Sequence, residues 1–433
     1  MTGLSSFRCV ACGVSSPLAE TRLACSSCGG LLDVVSNRHA FGRTGAAWRD
    51  LFDRRRAASP SEATRPFETS GVWRFREHVL PDLPEGGIVS KPEGATRLYA
   101  GAALGEELSL SRLFVKHEGE NPTLSFKDRG MTVGVSWARA LGFTTVACAS
   151  TGDTSAALAA YAAAVPGMCA VVLLPQGKIT DEQLSQALAY GATTLGLDTD
   201  FDGCMRLVAE LAAARPVFLL NSKNPVRIEG QKTIAWEAIQ DLGWRVPDWI
   251  VVPVGNAGNL SAIGKGLREW LDLGVIGKKP RLAGIQASAA DPFFQSYRMG
   301  FTERVTRLAG DTAASAIRIG APVSHPKAER EIRFFEGVVE SVTEAELLDA
   351  FALANRHGLA ICPNSAVALA GAAKLRQAGV IREADLVVVV GTAHALKFSG
   401  TMSAYHRGDG RLANPPRRLP ATLDAILEAL DAT

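Results

Sequence analysis

Short apolar runs alternate with longer helical stretches through most of the chain, and this alternation limits the fold more than any other feature. Runs of strand length lie at 112–116, 144–148, 169–174, 193–197, 217–220, 249–254, 281–286 and 385–390. Helical stretches lie between them at 154–164, 181–190, 201–214, 226–242 and 259–271, and another runs from Lys127 through Trp137 and Leu141. Continuous apolar runs are buried on both faces, and parallel strands require a long crossover, usually a helix. The expected fold class is therefore α/β, with open, twisted, mostly parallel sheets covered by helices on both faces. A chain of 433 residues is long enough for two or three domains.

Ahead of this body stand Cys9-x2-Cys12 and Cys25-x2-Cys28, each pair followed by glycine at Gly13 or Gly29. A tight turn there lets backbone amides point at the sulfurs, and four thiolates suit a tetrahedral structural zinc. Such a site is closed, so its expected role is to fold a short ribbon. A redox role is the weaker alternative, because neither pair opens a thioredoxin-like unit. Cys148, Cys169, Cys204 and Cys362 are spread singly and read as packing residues. From 31 to 92 the sequence is mixed, with Trp48, Leu51, Phe52, Trp73 and Phe75 as anchors. Arg54-Arg55-Arg56 reads as a solvated helix end, and Pro81, Pro84, Gly86 and Gly87 as linker punctuation. Residues 300–325 are expected to form a mobile loop, and 421–430 a short amphipathic helix. A net charge of +2 argues against a nucleic-acid or acidic-membrane surface. No apolar run is long enough to span a bilayer, and the first residues lack a signal core, so a cytoplasmic location is expected.

Within the body, Asn121-Pro122-Thr123-Leu124-Ser125-Phe126-Lys127-Asp128-Arg129 stands out. Pro122 drives the residue before it out of the helical region, and Ser125 is positioned to cap the helix that follows. Lys127 then falls in a helical first turn beside a phenyl ring, where dipole and desolvation favour the neutral amine, able to form a Schiff base. The competing reading is a solvated surface lysine.

Ligands of parallel sheets bind beyond the carboxyl ends of the strands, and four loops there are polar or glycine-rich. Ser150-Thr151-Gly152-Asp153-Thr154 opens a helix and suits an anion or carboxylate, or a simple cap by Asp153 or Thr154. Gly255-Asn256-Ala257-Gly258-Asn259 can fold into a nest for one phosphate monoester, since it is neither a dinucleotide fingerprint nor a P-loop. Ser222, Asn224 and Arg227 combine donors with a guanidinium suited to a second phosphate, or make a capped helix start. Thr392 offers a neutral hydroxyl, with His394 as a satisfied loop histidine or more.

Taken together, these segments make the chain resemble threonine synthase, a fold-type-II pyridoxal-phosphate enzyme. The resemblance rests on 121–131, 150–158, 224–233, 255–259, Cys362-Pro363 and Thr392-Ala393-His394, with the plant-type branch suggested by Ser150 to Thr154 and 201–205. It implies that Lys127 holds pyridoxal 5'-phosphate as an internal aldimine and then shuttles protons. Phe126 would lie against the cofactor, Gly255 to Asn259 would cradle its phosphate, Asp153 would face its ring hydroxyl, and Thr392 would bond its pyridine nitrogen. Ser150, Thr151 and Thr154 would bind substrate carboxylate or phosphate, with Ser222, Asn224 and Arg227 on the substrate phosphate. The implied reaction converts O-phospho-L-homoserine and water to L-threonine and phosphate.

The implied architecture is a two-domain enzyme with a zinc ribbon over 1–35 and an extension over 36–92. A large cofactor domain would comprise 93–129 and 215–433, with a smaller domain over 130–214 and the site in the cleft. A homodimer and a small phosphorylated amino acid are the expected partners. Departures from the pattern fall at Leu124, Ala95, Arg97, Asn364 and Ala395, where the family has glycine, asparagine, proline, histidine and glycine. They leave open replacement chemistry on another phosphorylated amino acid. A non-catalytic protein that kept the scaffold is a further alternative, against which Lys127 weighs.

Overall fold

A computed structural model describes residues 3–59, 61, 65–150, 152–176 and 181–431. Its strands are β1 (Ser5–Cys9), β2 (Ser15–Pro17), β3 (Leu32–Ser36), β4 (Leu98–Ala100), β5 (Arg112–His117), β6 (Thr145–Ala149), β7 (Cys169–Pro175), β8 (Thr193–Leu197), β9 (Phe218–Leu219), β10 (Trp249–Pro253), β11 (Arg281–Ala287), β12 (Val338–Val342) and β13 (Leu386–Gly391). They form an antiparallel ribbon β2-β1-β3, a six-stranded sheet β12-β11-β10-β13-β5-β4 and a four-stranded sheet β8-β7-β6-β9. Every pairing in the two larger sheets is parallel except β4 with β5. The sequence of β13, Leu-Val-Val-Val-Val-Gly, is buried throughout, as a central parallel strand with helices on both faces requires.

The smaller sheet reaches past residue 215, where the larger domain was expected to resume, because Phe218 and Leu219 pair with Val146 and Ala147 of β6. The helix expected over 226–242 is two, Pro225–Gln231 and Thr233–Asp241. Gly230 packs so closely on the helix Lys127–Ala140 that a Cβ there would lie 1.7 Å from the Arg129 carbonyl oxygen. β4, β12 and the helices Glu344–Arg356 and Pro363–Gln377 have no counterpart among the expected elements. The first of those helices does carry a local signal, a capping box between Thr343 and Glu346.

The aromatic residues between ribbon and body are the anchors expected of them, while the punctuated stretch is mixed, with Pro84, Glu85 and Gly86 exposed and Leu83 and Gly87 buried. Trp48, Phe52, Trp73 and Phe75 are fully buried. Trp48 stacks on Phe52 at 5.6 Å, and Phe52 reaches Trp270, which itself stacks on Trp236 at 4.9 Å. Arg55, expected in solvent, is buried and paired with Glu68 at 2.9 Å and Glu77 at 2.7 Å. Its guanidinium also donates to the Arg74 carbonyl at 2.6 Å, so the arginine run has one member facing inward. The ribbon docks through β3: Lys265 and Lys327 donate to the Val34 and Leu32 carbonyls at 2.6 Å each, and Asp33 pairs with Lys327 and Arg330. The 300–325 segment is largely irregular but tied down, by Arg307 N to Gly320 O, Gly310 N to Ala289 O and Ala316 N to Asn364 Oδ1. The helix expected near the C-terminus lies at Leu423–Asp431, with Leu423, Ile426, Leu427 and Leu430 exposed. Among the described residues no helix is long and apolar enough to cross a membrane.

Candidate active site

The lysine segment is held from both sides. Asn121 is extended at φ −63°, ψ 158°, as a residue before proline should be. The helix Lys127–Ala140 is not capped by Ser125 in the expected way. Phe126 takes the cap position with helical backbone, and Ser125 Oγ accepts only from Lys127 N, at 3.4 Å. Ser125 is diverted because it bridges Ala393, while Phe126 N donates to Thr392 O at 2.9 Å and His394 N to Leu124 O at 3.0 Å. The lysine loop and the loop after β13 are thus joined like two strands. Behind Lys127, Asp128 accepts from Thr123 N and Thr123 Oγ1 at 2.8 and 2.9 Å, and burial pushes its carboxyl up to about 7. Arg129, fully buried, is forked onto Glu118 at 2.5 and 2.7 Å and reaches Glu237 at 2.5 Å. Such a neutralised buried network locks the register of the helix start.

Lys127 itself is half-buried, its Nζ 3.7 Å from the Phe126 ring centroid. Desolvation lowers its amine to about 8; Asp153 opposes the shift, and Arg227 and Lys397 add to it. At neutral pH a useful fraction is therefore a neutral nucleophile.

The loop after β10 has the sharply turned backbone that its glycines suggested. Ala257 is left-handed at φ 62°, turning the backbone into the fifteen-residue helix Gly258–Asp272. A Cβ at Gly255 would come within 2.8 Å of Ile317 Cα, so only glycine fits there. Asn256 accepts from Val323 N through Oδ1 at 3.3 Å and from Ser324 N through its carbonyl at 3.0 Å. Both polar atoms of the Asn259 side chain are buried without partners at this helix start. The orphaned Nδ2 calls for an acceptor, which a phosphate at a helix N-terminus would supply, while the Oδ1 needs a donor of its own.

Arg227 is 3% exposed; its guanidinium donates to Leu220 O at 2.9 Å but its buried Nε has no partner. Burial lowers it only to about 10, so it remains a cation in want of an anion. Asn224 is committed elsewhere: its side chain caps the helix through Val226 N at 2.9 Å and donates to Leu219 O at 2.7 Å. Ser222 is half-buried beside it. In the first loop, Gly152 rather than Asp153 or Thr154 occupies the cap position of the helix Asp153–Ala163, and no side chain caps it. Asp153 instead pairs with Lys397 at 2.9 Å. Ser150 Oγ accepts from Gly152 N at 3.3 Å, Thr154 is half-buried, and Thr151 lies outside the described residues. Thr392 is buried and its Oγ1 lies 3.1 Å from Ser365 Oγ and 3.8 Å from Cys362 Sγ. His394 is a satisfied loop histidine, its Nδ1 accepting from Leu396 N at 3.1 Å.

Lys127, Phe126, Asp153, Arg227 and Thr392 thus converge, and Asn364, next to Ser365, reaches the nest side through Ala316. Sequence reasoning did not assign Ser365 or Lys397 to the site. No local signal marks Lys397, because all its acceptors lie far off in the chain. The four cysteines of the ribbon form a separate cluster, with Sγ atoms within 4.8 Å of one another. Cys12 N and Ser27 N point at Cys9 Sγ and Cys25 Sγ from 3.5 and 3.4 Å, as the glycine turns predict. Backbone donors at Ser27 and Cys28 lower the Cys25 thiol to about 6.

Residues 89–393 match the family described as pyridoxal-phosphate dependent enzyme, and the chain belongs to that family. Within it, the chain is 44% identical over 418 residues to threonine synthase 2, chloroplastic, of Arabidopsis thaliana, covering 94% of this chain and 80% of that one. It is 42% identical over 424 residues to the threonine synthase of Methanosarcina acetivorans, covering 98% of each. The Escherichia coli threonine synthase structure superposes with a TM-score of 0.70 over 99% of each chain at 21% identity, a likeness of fold.

Proposed function

We propose that this chain converts O-phospho-L-homoserine and water to L-threonine and phosphate with pyridoxal phosphate as cofactor. One observation carries the reading: a lysine amine lowered to about 8 lies within electrostatic reach of the buried guanidinium of Arg227, whose Nε has no partner. The family match and the threonine synthases at 42–44% identity support it. The residues fit the cofactor. Lys127 would take its aldehyde, and Gly255, Asn256, Ala257, Gly258 and Asn259 its phosphate. Thr392, with Ser365 behind it, would meet the ring nitrogen, and Phe126 and Asp153 the ring and its hydroxyl. When bound, the cofactor supplies an electron sink that acidifies the substrate α-carbon.

The chain's own groups do the rest. Lys127, released as a neutral amine, accepts the proton from the α-carbon and returns protons later. Arg227, with Ser222, binds the substrate phosphate and neutralises its charge as the Cγ–O bond breaks. Asn224 acts by holding the Arg227 helix in place. Ser150 and Thr154 flank a helix start with no side-chain cap, and with Thr151 they bind the carboxylate. In the net reaction phosphate leaves Cγ and the elements of water are added, with hydroxyl at Cβ. Separately, Cys9, Cys12, Cys25 and Cys28 are read as a structural zinc site, supported by their clustered sulfurs and aimed backbone amides.

The test is twofold. Added pyridoxal phosphate should give the wild-type protein a visible absorbance band that Lys127→Ala lacks; a wild type that stays colourless overturns the reading. O-phosphohomoserine should then yield phosphate and threonine in equal amounts. Phosphate without threonine would point to a different nucleophile.

A further inference from the structure

Lys397 is placed as no local pattern requires. It follows β13, on the larger sheet, in the 3-10 turn Ala395–Phe398. Its Nζ donates to Thr123 O at 3.0 Å, in the loop that leads to Lys127, and to Gln186 Oε1 at 2.9 Å, on the helix Asp181–Ala189 of the smaller sheet. Its third partner is Asp153 Oδ1 at 2.9 Å, at the start of the helix Asp153–Ala163. An ammonium has three donors, and here each finds an acceptor on a different element. Both charged side chains are largely sequestered, at 9% and 10% exposure, so the pair is only weakly screened.

We propose that Lys397 is a positioning residue: it ties the two sheets together across the cleft and fixes the Asp153 carboxylate and the Thr123 loop around Lys127. The inference deepens the cofactor reading and rests on it only for its catalytic meaning. The electrostatic consequence follows from the geometry. Lys127 is faced by Asp153 from the start of the helix Asp153–Ala163, by Arg227 from the helix Pro225–Gln231, by Cys362 from the start of the helix Pro363–Gln377, and by Lys397. Asp128 is the further acid that senses Lys397. Asp153 draws a proton towards Lys127 and Lys397 repels it. With Lys397 absent, the carboxylate is left uncompensated, the ammonium form of Lys127 is favoured, and the nucleophilic fraction at neutral pH falls.

The experiment needs no cofactor. The protein without added pyridoxal phosphate is pulse-labelled with acetic anhydride across a pH series, and acetylation of the Lys127 peptide is read by mass spectrometry. Lys397→Met should move the labelling midpoint upward, with proton binding roughly three- to tenfold tighter, as expected for one nearby charge at an intermediate dielectric. Asp153→Asn should move it downward, and the double variant should return it near the wild-type value. Lys397→Gln, which can still donate to Thr123 O, provides the same test should the methionine variant fold poorly; it too should raise the midpoint. A residue that only stabilised the fold would not give shifts of opposite sign that cancel. Midpoints unchanged in both Lys397 variants overturn the inference while the visible band of the wild type stands; a colourless wild type overturns the cofactor reading instead.

Discussion

Besides Ala257, two residues near the site hold left-handed backbone without being glycine: Ala95 at φ 51° and Leu124 at φ 62°. For an L-residue this conformation costs about 1–2 kcal/mol, and only glycine, asparagine and aspartate enter it readily. Both are positions where resemblance to the family implies glycine or asparagine, so the departures visible in the sequence fall on strained backbone. The strain is held by tertiary bonds: Ala95 N donates to Glu237 Oε1 at 2.7 Å, and Leu124 O accepts from His394 N. Strain of this kind gathers where surroundings over-determine a functional loop. Ala95 is exposed, so replacing it disturbs little packing. Ala95→Asn is expected to raise stability by about 0.5–1 kcal/mol in urea unfolding, because asparagine tolerates the conformation without the entropy cost of glycine. Ala95→Val should lower it. Equal midpoints for the three proteins would remove strain from the account.

At the scale of elements, the ribbon is bound into the body more firmly than a short N-terminal segment requires. β3 packs on the helix Pro225–Gln231, which carries Arg227, and two buried lysines donate to its carbonyls. Burial alone would raise the Asp33 carboxyl, yet Lys327, Lys265 and Arg330 hold it well below the usual carboxylate range. A depressed carboxylate stabilises the fold above its unfolded value and loses that effect only as pH falls through the folded value, so this dock persists through mildly acidic conditions. The four-cysteine cluster, read as a zinc site, is the more sensitive element. Cys25→Ala should abolish bound zinc in metal analysis and lower stability by several kcal/mol, on the order of the folding energy such a site supplies. Zinc content equal to wild type would refute the four-thiolate site. Cysteine spacing predicted the cluster because turn and sulfur geometry are local; the docking partners at 265, 327 and 330 left no local mark.

For the whole molecule, the family match begins at residue 89, which invites removal of everything before it. The structure argues otherwise. Phe52, Phe75 and His78 pack against Trp236 and Trp270, Trp48 packs on Phe52 and His78, and Trp270 Nε1 donates to His78 Nδ1 at 3.0 Å. Arg38 also pairs with buried Glu229 and Glu269 at 3.5 and 3.2 Å. A chain starting at residue 89 would expose stacked indoles and leave buried carboxylates short of a cation, a combination costing well over about 5 kcal/mol. It should lose near-ultraviolet circular dichroism and bind a hydrophobic dye; a cooperative thermal transition like that of the full chain would contradict this. What the sequence determined by itself was local: which runs are strands, which polar and glycine-rich residues sit at strand ends, and which four cysteines cluster. Periodicity, turn chemistry and ligand spacing act within a few residues, so they can be read there. Only the tertiary structure decided which rings the aromatic anchors at 48–75 pack on, that Arg55 is buried, that β9 belongs to the smaller sheet, and that Lys397 meets Gln186 from 211 positions away. Those outcomes depend on which buried charges and rings find partners across the fold, and desolvation rewards or penalises them only once distant segments are packed together.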